Sequence, residues 1–324
     1  MEKYYITTPI YYVNDKPHIG HAYTTILADT ISRFRALIGE KPTFLTGLDE
    51  HGLKVQQAAE KNGKAPQEHC DSMAPAFIDL WEKLNINYSD FIRTTEHRHT
   101  KIVQQILTKV HESGDIYMDE YEGWYSISEE RFITEKELDS GQFGQVKQIK
   151  EKNYFFRMSK YQETLIDKIE KEELLIQPKS RKNEVLGFLK NELSDLCISR
   201  PKSRLEWGIE LPFDDNYVTY VWFDALINYI SAIGAYSNDE QFSSLWPADV
   251  HLIGKDILTT HSVYWPTMLL SLGLSLPQRI FAHGWWLTDD QKMSKSLGNV
   301  VSPLMLIDDF GVDSVRYYLM SEMV

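Results

Sequence analysis

The chain is 324 residues long, enough for two domains or for one large domain carrying an insertion. With 43% hydrophobic and 25% charged residues it has the composition of an ordinary globular protein, and its formal net charge of −13 excludes a general polyanion-binding surface while leaving room for a local basic groove. Two cysteines, Cys70 and Cys197, exclude a four-thiolate zinc site; nothing favours a disulfide between them, and a reducing cytoplasm is the expected compartment.

In chain order, residues 4–10 are aromatic and β-branched and predict a strand buried on both faces. The polar turn Asn14-Asp15-Lys16-Pro17 leads into a helix predicted over 18–37, with Pro17 suited to its start and Gly39 to its stop. Residues 42–48 predict a second strand, which ends in Asp49-Glu50-His51-Gly52. Helices over 53–62 and 66–84, a strand over 90–94 and a helix over 96–113 complete an alternation that implies an α/β, doubly wound parallel sheet. From Gly114 to about Asp214 the segments are shorter and richer in Glu, Lys and Ser, as expected of an inserted α+β domain with hairpins.

The rhythm returns with a helix over 217–235, a strand over 250–253, a helix over 257–272 and a strand over 279–283, and two further helices are predicted over 302–310 and 313–323. The apolar stretch 265–276 is too short to span a bilayer, and no signal-peptide pattern opens the chain, so no membrane association is expected. The expected division is 1–113 and 215–289 for two halves of the sheet domain, 114–214 for the insertion, and 290–324 for a polar loop with its following helices.

Two short strings carry chemistry. His18-Ile19-Gly20-His21 opens the first helix, so its imidazoles share one face of the first turn. The helix N-terminus beside them adds partial positive charge and open N–H groups. Gly20 removes a side chain where a flat ring such as adenine would approach the backbone. Such a site suits a triphosphate attacked at its α-phosphorus, because the charge that builds up there meets two imidazoles and a helix terminus. The plain alternative is that the pair caps the helix or holds an adventitious metal. The glycine-rich strings of other nucleotide sites, Gly-x-x-x-x-Gly-Lys and Gly-x-Gly-x-x-Gly, are absent.

The second string, Lys292-Met293-Ser294-Lys295-Ser296, follows a strand and Gly284-Trp285-Trp286. Two ammonium groups on a loop there would stabilise a leaving pyrophosphate; the alternative is a solvated basic loop. Gly254-Lys255-Asp256 offers a carboxylate to ribose hydroxyls, or is simply a turn. Trp222, Ala225 or Leu226, and Tyr229 recur at helical spacing, a face that by itself reads as ordinary core.

With both strings, the insertion and the α/β rhythm in place, the chain resembles the methionyl-tRNA synthetases, among the class I aminoacyl-tRNA synthetases. The resemblance runs over essentially all 324 residues. It is most specific in Thr8-Pro9-Ile10-Tyr11-Tyr12-Val13-Asn14, Thr46-Gly47-Leu48-Asp49-Glu50-His51-Gly52, Tyr220-Val221-Trp222-Phe223-Asp224-Ala225 and His251-Leu252-Ile253-Gly254-Lys255-Asp256. It implies a Rossmann-like catalytic domain, activation of methionine by ATP with Mg2+ to methionyl-adenylate, and transfer to the acceptor end of tRNA(Met). It also implies that His18, His21, Lys292 and Lys295 act in catalysis, and that Asn14, Gly20, Gly254, Asp256, His283 and Gly284 join the lysines around ATP. Ile10, Tyr12, Trp222, Ala225, Leu226, Tyr229, Ile257 and His261 would build the methionine pocket, with Asp49 taking the substrate ammonium.

Two departures qualify this. The stretch Trp124-Tyr125-Ser126-Ile127-Ser128-Glu129-Glu130 lacks the cysteines that hold zinc in family members, so no structural zinc is expected. The helical anticodon-binding region of the family is absent beyond its first one or two helices, so adenylation is expected to be intact and tRNA selection impaired. Two rival readings remain. One is another class I nucleotidyl transferase of the pantothenate-synthetase kind, which the insertion and the tryptophan segment disfavour. The other is an inactive synthetase-like regulatory module, which the intact His18, His21, Lys292 and Lys295 disfavour.

Overall fold

A computed structural model of the chain describes residues 2–126, 131–133, 138–139, 145–288, 291–292 and 301–322. Six strands form the central sheet: β1 (Lys3–Tyr12), β2 (Lys41–Asp49), β3 (Asp90–Arg93), β4 (Leu175–Gln177), β5 (Val250–Gly254) and β6 (Arg279–His283). Their spatial order is β3-β2-β1-β5-β6-β4, and every neighbouring pair is parallel. This is the doubly wound α/β sheet that the sequence rhythm implies.

Side chains alternate across it. Tyr4, Ile6 and Phe44 enter one core, while Tyr5 and Leu45 enter the other, so both faces are covered, as parallel sheets require. The first core takes helix α1 (Ile19–Leu37) through Ala22, Tyr23 and Ile26, together with Phe77, Trp81, Val315 and Leu319. The second takes Ile102, Ile106, Phe223, Ile230, Trp265 and Leu269.

Strand order reverses between β1 and β5, which meet in the register Ile6↔Val250 and Thr7↔His251. Ligands of such sheets sit outside the carboxyl ends of the strands at this reversal. The ends that meet there are Tyr12, which leads through the turn 13–17 into His18-Ile19-Gly20-His21, and Gly254, which opens Gly254-Lys255-Asp256.

The 114–214 stretch contributes to two kinds of sheet. Ile116–Ser126 and Val146–Phe156 form a long antiparallel hairpin, paired from Ile116↔Phe156 to Ser126↔Val146 and flanked by Arg131–Ile133 and Leu196–Cys197. The same stretch also supplies β4, the edge strand of the central sheet, so its chain returns to that sheet before residue 215.

Two predicted helices differ from what forms. The one expected over 217–235 begins as a strand, Asp214–Thr219, paired with Ser199–Pro201. Tyr217, Val218 and Thr219 are strand formers, and burying Val218 outweighs the helical periodicity that follows. Helix then comes as two short pieces, Val221–Ala225 and Asn228–Ser231, and the Asn228 carboxamide donates to the Ala225 carbonyl at 2.7 Å between them. The helix expected over 257–272 is regular only over Trp265–Ser271, after a π-helical turn Thr260–Tyr264. Pro266 has no N–H to return to the Ser262 carbonyl, and the turn ahead of it widens. The remaining predicted elements form within a few residues of their expected bounds. Among the described residues no helix is long and apolar enough to cross a membrane.

Candidate active site

His18 is the N-cap of α1, in extended conformation at φ −125° and ψ 178°. Its Nδ1 accepts the Gly20 N–H at 3.1 Å, and the Nδ1 of His21 accepts the His18 N–H at 3.2 Å. This is a reciprocal capping box with imidazoles in the roles usually taken by Ser or Thr and Glu. A ring nitrogen that accepts carries no proton, so both rings hold theirs on Nε2 and present an N–H donor there. The rings stack with centroids 3.8 Å apart. Burial, and then the neighbouring His18, push the His21 pKa well below its ordinary 6.5, which keeps that ring neutral.

Capping and the phosphate reading are therefore compatible here: the cap aims the donors. Gly20 has a more local reason than adenine access, because a Cβ there would lie 3.0 Å from the His18 ring. The first turn of α1 contains no acidic residue to offset its field. Beside it lies a cavity of ≈ 260 Å³ lined by Tyr12, Asn14, Asp15, Lys16, His18 and His21.

On the other side of the strand reversal, Gly254 and His283 are paired neighbours at the ends of β5 and β6. Gly254 leaves room for Asp256, whose Oδ1 would be 2.6 Å from a Cβ on that residue. Asp256 is exposed and accepts the Trp285 indole N–H at 3.2 Å, and the Lys255 ammonium stands over the same indole at 4.2 Å. His283 is buried and neutral, its pKa lowered chiefly by desolvation. Its Nδ1–H donates to the Gly284 carbonyl at 2.7 Å, and its Nε2 accepts from the Thr24 hydroxyl of α1 at 2.7 Å. His283 thus ties β6 to α1. Of Lys292 only the backbone is described, in the short ladder of Leu287–Thr288 with Gln291–Lys292; Lys295 lies outside the described residues, as does 127–130 of the stretch where zinc ligands were sought.

The third group centres on Tyr229 and His261. Tyr229 is 1% exposed, and its hydroxyl donates to His261 Nε2 at 2.7 Å. His261 Nδ1–H donates to the Ile257 carbonyl at 2.9 Å, which fixes the direction of the chain. Burial lowers the His261 pKa to about 4. The Trp222 ring stands edge-on to His261 at 6.4 Å, and the Tyr5 hydroxyl donates to the Tyr229 carbonyl at 2.8 Å. Leu226 and Tyr229 belong to one core cluster, against which Ile10, Tyr12, Trp222 and Ile257 are half-buried; Ala225 is buried beside Leu226. Asp49 is buried at the end of β2, close enough for its charge to add to the burial that raises the Tyr229 phenol pKa. Tyr12 touches both cores and lines the cavity, so it is a wall common to the histidine and aromatic sites.

Sequence reasoning passed over a second set of polar groups at this depth. Asp224 is fully buried and accepts from His51 and His99. His251, also fully buried, accepts the Trp265 indole N–H at 3.2 Å, donates to Thr7 at 2.7 Å and lies against the Tyr229 ring at 4.3 Å. A single carboxylate in the apolar run Val221–Leu226 was the available signal for the first. Nothing in the string around His99 marks it.

The family model described as tRNA synthetases class I (M) matches residues 4–142 and 139–324. The methionine–tRNA ligase of Clostridium tetani is 53% identical over 325 residues, spanning 98% of this chain and 50% of that protein. The Bacillus subtilis methionine–tRNA ligase is 48% identical over 338 residues, with the same two shares of 98% and 50%. The chain therefore spans about half the length of the relatives it matches. A Mycobacterium tuberculosis methionyl-tRNA synthetase structure in complex with methionyl-adenylate superposes with a TM-score of 0.94 at 43% identity, over 99% of this chain and 64% of that one. The apo form of the same enzyme gives 0.79 at 39% identity, over 99% and 61%. The chain belongs to the class I tRNA synthetases of the M group.

Proposed function

We propose that this chain carries the methionine-activating centre of a methionine–tRNA ligase. It would join methionine and ATP into methionyl-adenylate and pyrophosphate, and pass the methionyl group to the acceptor end of tRNA(Met). The observation that carries the reading is the shared wall: Tyr12 lines the cavity bounded by His18 and His21 and also packs against the core cluster that holds Leu226 and Tyr229.

In this reading a methionine carboxylate oxygen attacks the α-phosphorus of ATP, and the bond to pyrophosphate breaks. The Nε2–H groups of His18 and His21, with the N-terminus of α1, stabilise the negative charge that grows on the α-phosphoryl oxygens. Lys292 and Lys295 act on the leaving pyrophosphate. Asn14, Gly20, Gly254, Asp256, His283 and Gly284 form the ATP side, His283 by holding α1 against β6. Asp49 takes the ammonium. The Tyr229 proton is already committed to His261, so the thioether meets ring faces and an aliphatic floor of Ile10, Ala225, Leu226 and Ile257 rather than a donated hydrogen bond.

Among the described residues no three His, Cys, Asp or Glu side chains converge on a metal position. Magnesium, which is commonly held by phosphate oxygens with few protein ligands, would neutralise charge on the triphosphate and arrive with it. Every residue invoked for adenylation lies in these 324 residues. Selective charging of tRNA(Met) is proposed for the whole protein, since the chain spans about half the length of these relatives. A cytoplasmic location follows from the role in translation.

The test is ATP–pyrophosphate exchange with each of the twenty amino acids. Stimulation by methionine alone supports the reading; exchange with none of them would overturn it in favour of a non-catalytic module.

A further inference from the structure

Asp224 stands alone as a charge in the turn Val221–Ala225, and both its oxygens are engaged by residues from elsewhere in the chain. Oδ2 accepts the His51 Nδ1–H at 2.7 Å, and Oδ1 accepts the His99 Nε2–H at 2.6 Å. The opposite nitrogen of His99 accepts from the Ser231 hydroxyl at 2.7 Å. Burial works against the charge on Asp224, but His51 and His99 together outweigh it and hold the carboxyl below the ordinary carboxylate range.

The three partners sit on separate supports. His51 is two residues past Asp49, in the loop that ends β2, with its ring against Trp207 at 5.3 Å. His99 is in the first turn of the helix His97–Glu112. Asp224 lies two residues after Trp222 and five before Tyr229, and Ser231 follows on the next turn. The carboxylate therefore bridges the element that carries the ammonium anchor and the element that carries the pocket walls. An amino acid held at both ends is measured by the separation of those two elements.

We propose that Asp224 is a positioning residue that sets the spacing between Asp49 and the Trp222–Tyr229 walls, and thereby the side-chain length the site accepts. This rests on the assignment of Asp49 and those walls to methionine. The geometry asks only for an N–H at the right place on each partner, not for an imidazole that exchanges protons. Asparagine at position 51 offers an amide N–H close to where Nδ1 stands, and glutamine at position 99 does so for Nε2. Leucine at either position offers none.

Exchange kinetics for methionine, ethionine (one methylene longer) and norvaline (one heavy atom shorter) test this. In Asp224→Asn one partner loses its acceptor. The expected result is a KM for methionine raised by roughly tenfold, kcat and the KM for ATP within about threefold of the parent, and a preference for methionine over both analogues reduced by roughly tenfold, as a lost buried hydrogen bond to a charged group would give. His51→Leu and His99→Leu should follow it, while His51→Asn and His99→Gln retain most of the preference. The Asn and Gln variants also keep the proposal testable if Asp224→Asn does not fold.

Unchanged analogue preference in a folded Asp224→Asn protein would overturn the proposal. So would loss of preference in His51→Asn equal to that in His51→Leu, which would mean that the ring itself acts. A parent chain with no methionine-dependent exchange would instead refute the underlying assignment, a result distinguishable from either.

Discussion

Histidines on the two sides of the strand reversal have opposite polarity. At the mouth of α1, His18 and His21 accept backbone N–H groups at Nδ1 and so carry their protons on Nε2. In the aromatic pocket and at the end of β6, His261 and His283 donate Nδ1–H to backbone carbonyls and accept hydroxyl protons at Nε2. The backbone decides the difference. A helix N-terminus offers only N–H groups, so imidazoles there must accept from it and donate elsewhere; a carbonyl at the far end of a turn enforces the reverse. One residue type thereby carries a proton on Nε2 at one place and accepts a hydroxyl proton there at another, without a change of charge.

The largest expected effect comes from separating cap from donor. Asparagine is among the best N-cap residues but lacks the outward imidazole N–H. His18→Asn should therefore lower the exchange kcat by about 10²–10³-fold, the loss seen when one charge-stabilising donor is removed, while leaving the thermal midpoint nearly unchanged. Parent-like exchange in this variant would reduce His18 to a cap.

Next is acid sensitivity. His21, His251, His261 and His283 all have folded-state pKa values below the ordinary 6.5, with burial as the first cause. Their contribution is fully present above about pH 6.5 and is lost as pH falls through the folded values, about 4 for His261. That residue alone is worth about 3 kcal/mol across the window. Urea denaturation at pH 7.5, 6 and 5 should show falling stability, with a shallower slope in His261→Gln. The lowered carboxylates, Asp224 among them, act only nearer pH 4 and below. Flat stability from pH 7.5 to 5 would contradict the neutral assignment of these rings.

A pocket of rings without a donor to sulfur discriminates mainly by shape. Homocysteine, one methyl shorter, should be activated with kcat/KM only ~1–3 kcal/mol worse than methionine. Complete absence of homocysteine-dependent exchange would mean that a hydrogen bond or closure step reads the thioether. The mildest effect is expected from Tyr229→Phe, which leaves the His261 Nε2 buried without its hydroxyl. A stability loss of about 1–3 kcal/mol, read by urea denaturation, should accompany a modest rise in the methionine KM.

Strand–helix alternation made five of the six central strands legible from sequence, because burial on both faces leaves runs rich in aromatic and β-branched residues such as 4–10 and 250–253, while Leu175–Gln177 was hidden inside the insertion. His18 and His21 were readable as a pair, since three residues on a helix bring two side chains together. Their tautomers were not, because these depend on which backbone group each Nδ1 meets. The break after Thr219 and the wide turn before Pro266 were also hidden. In both, a local conflict between strand propensity or a missing N–H and helical periodicity was settled by packing. Asp224 was quoted inside a recognisable string, yet its purpose depends on His51 and His99, 173 and 125 residues away. Linear spacing carries no trace of such partners.

The pairing of β1 with β5 joins Ile6 to Val250. Until residue 250 has been synthesised, β1 is the border of an incomplete sheet, apolar on both faces and with one row of backbone groups open to any extended chain that meets it. The crevice outside the carboxyl ends of the two strands is incomplete before that closure, since β5 forms one side of it. Long-range closures of this kind form late and slowly. Ligand binding at the carboxyl ends of these strands thus reports on a long-range closure of the sheet rather than on its first local pairings.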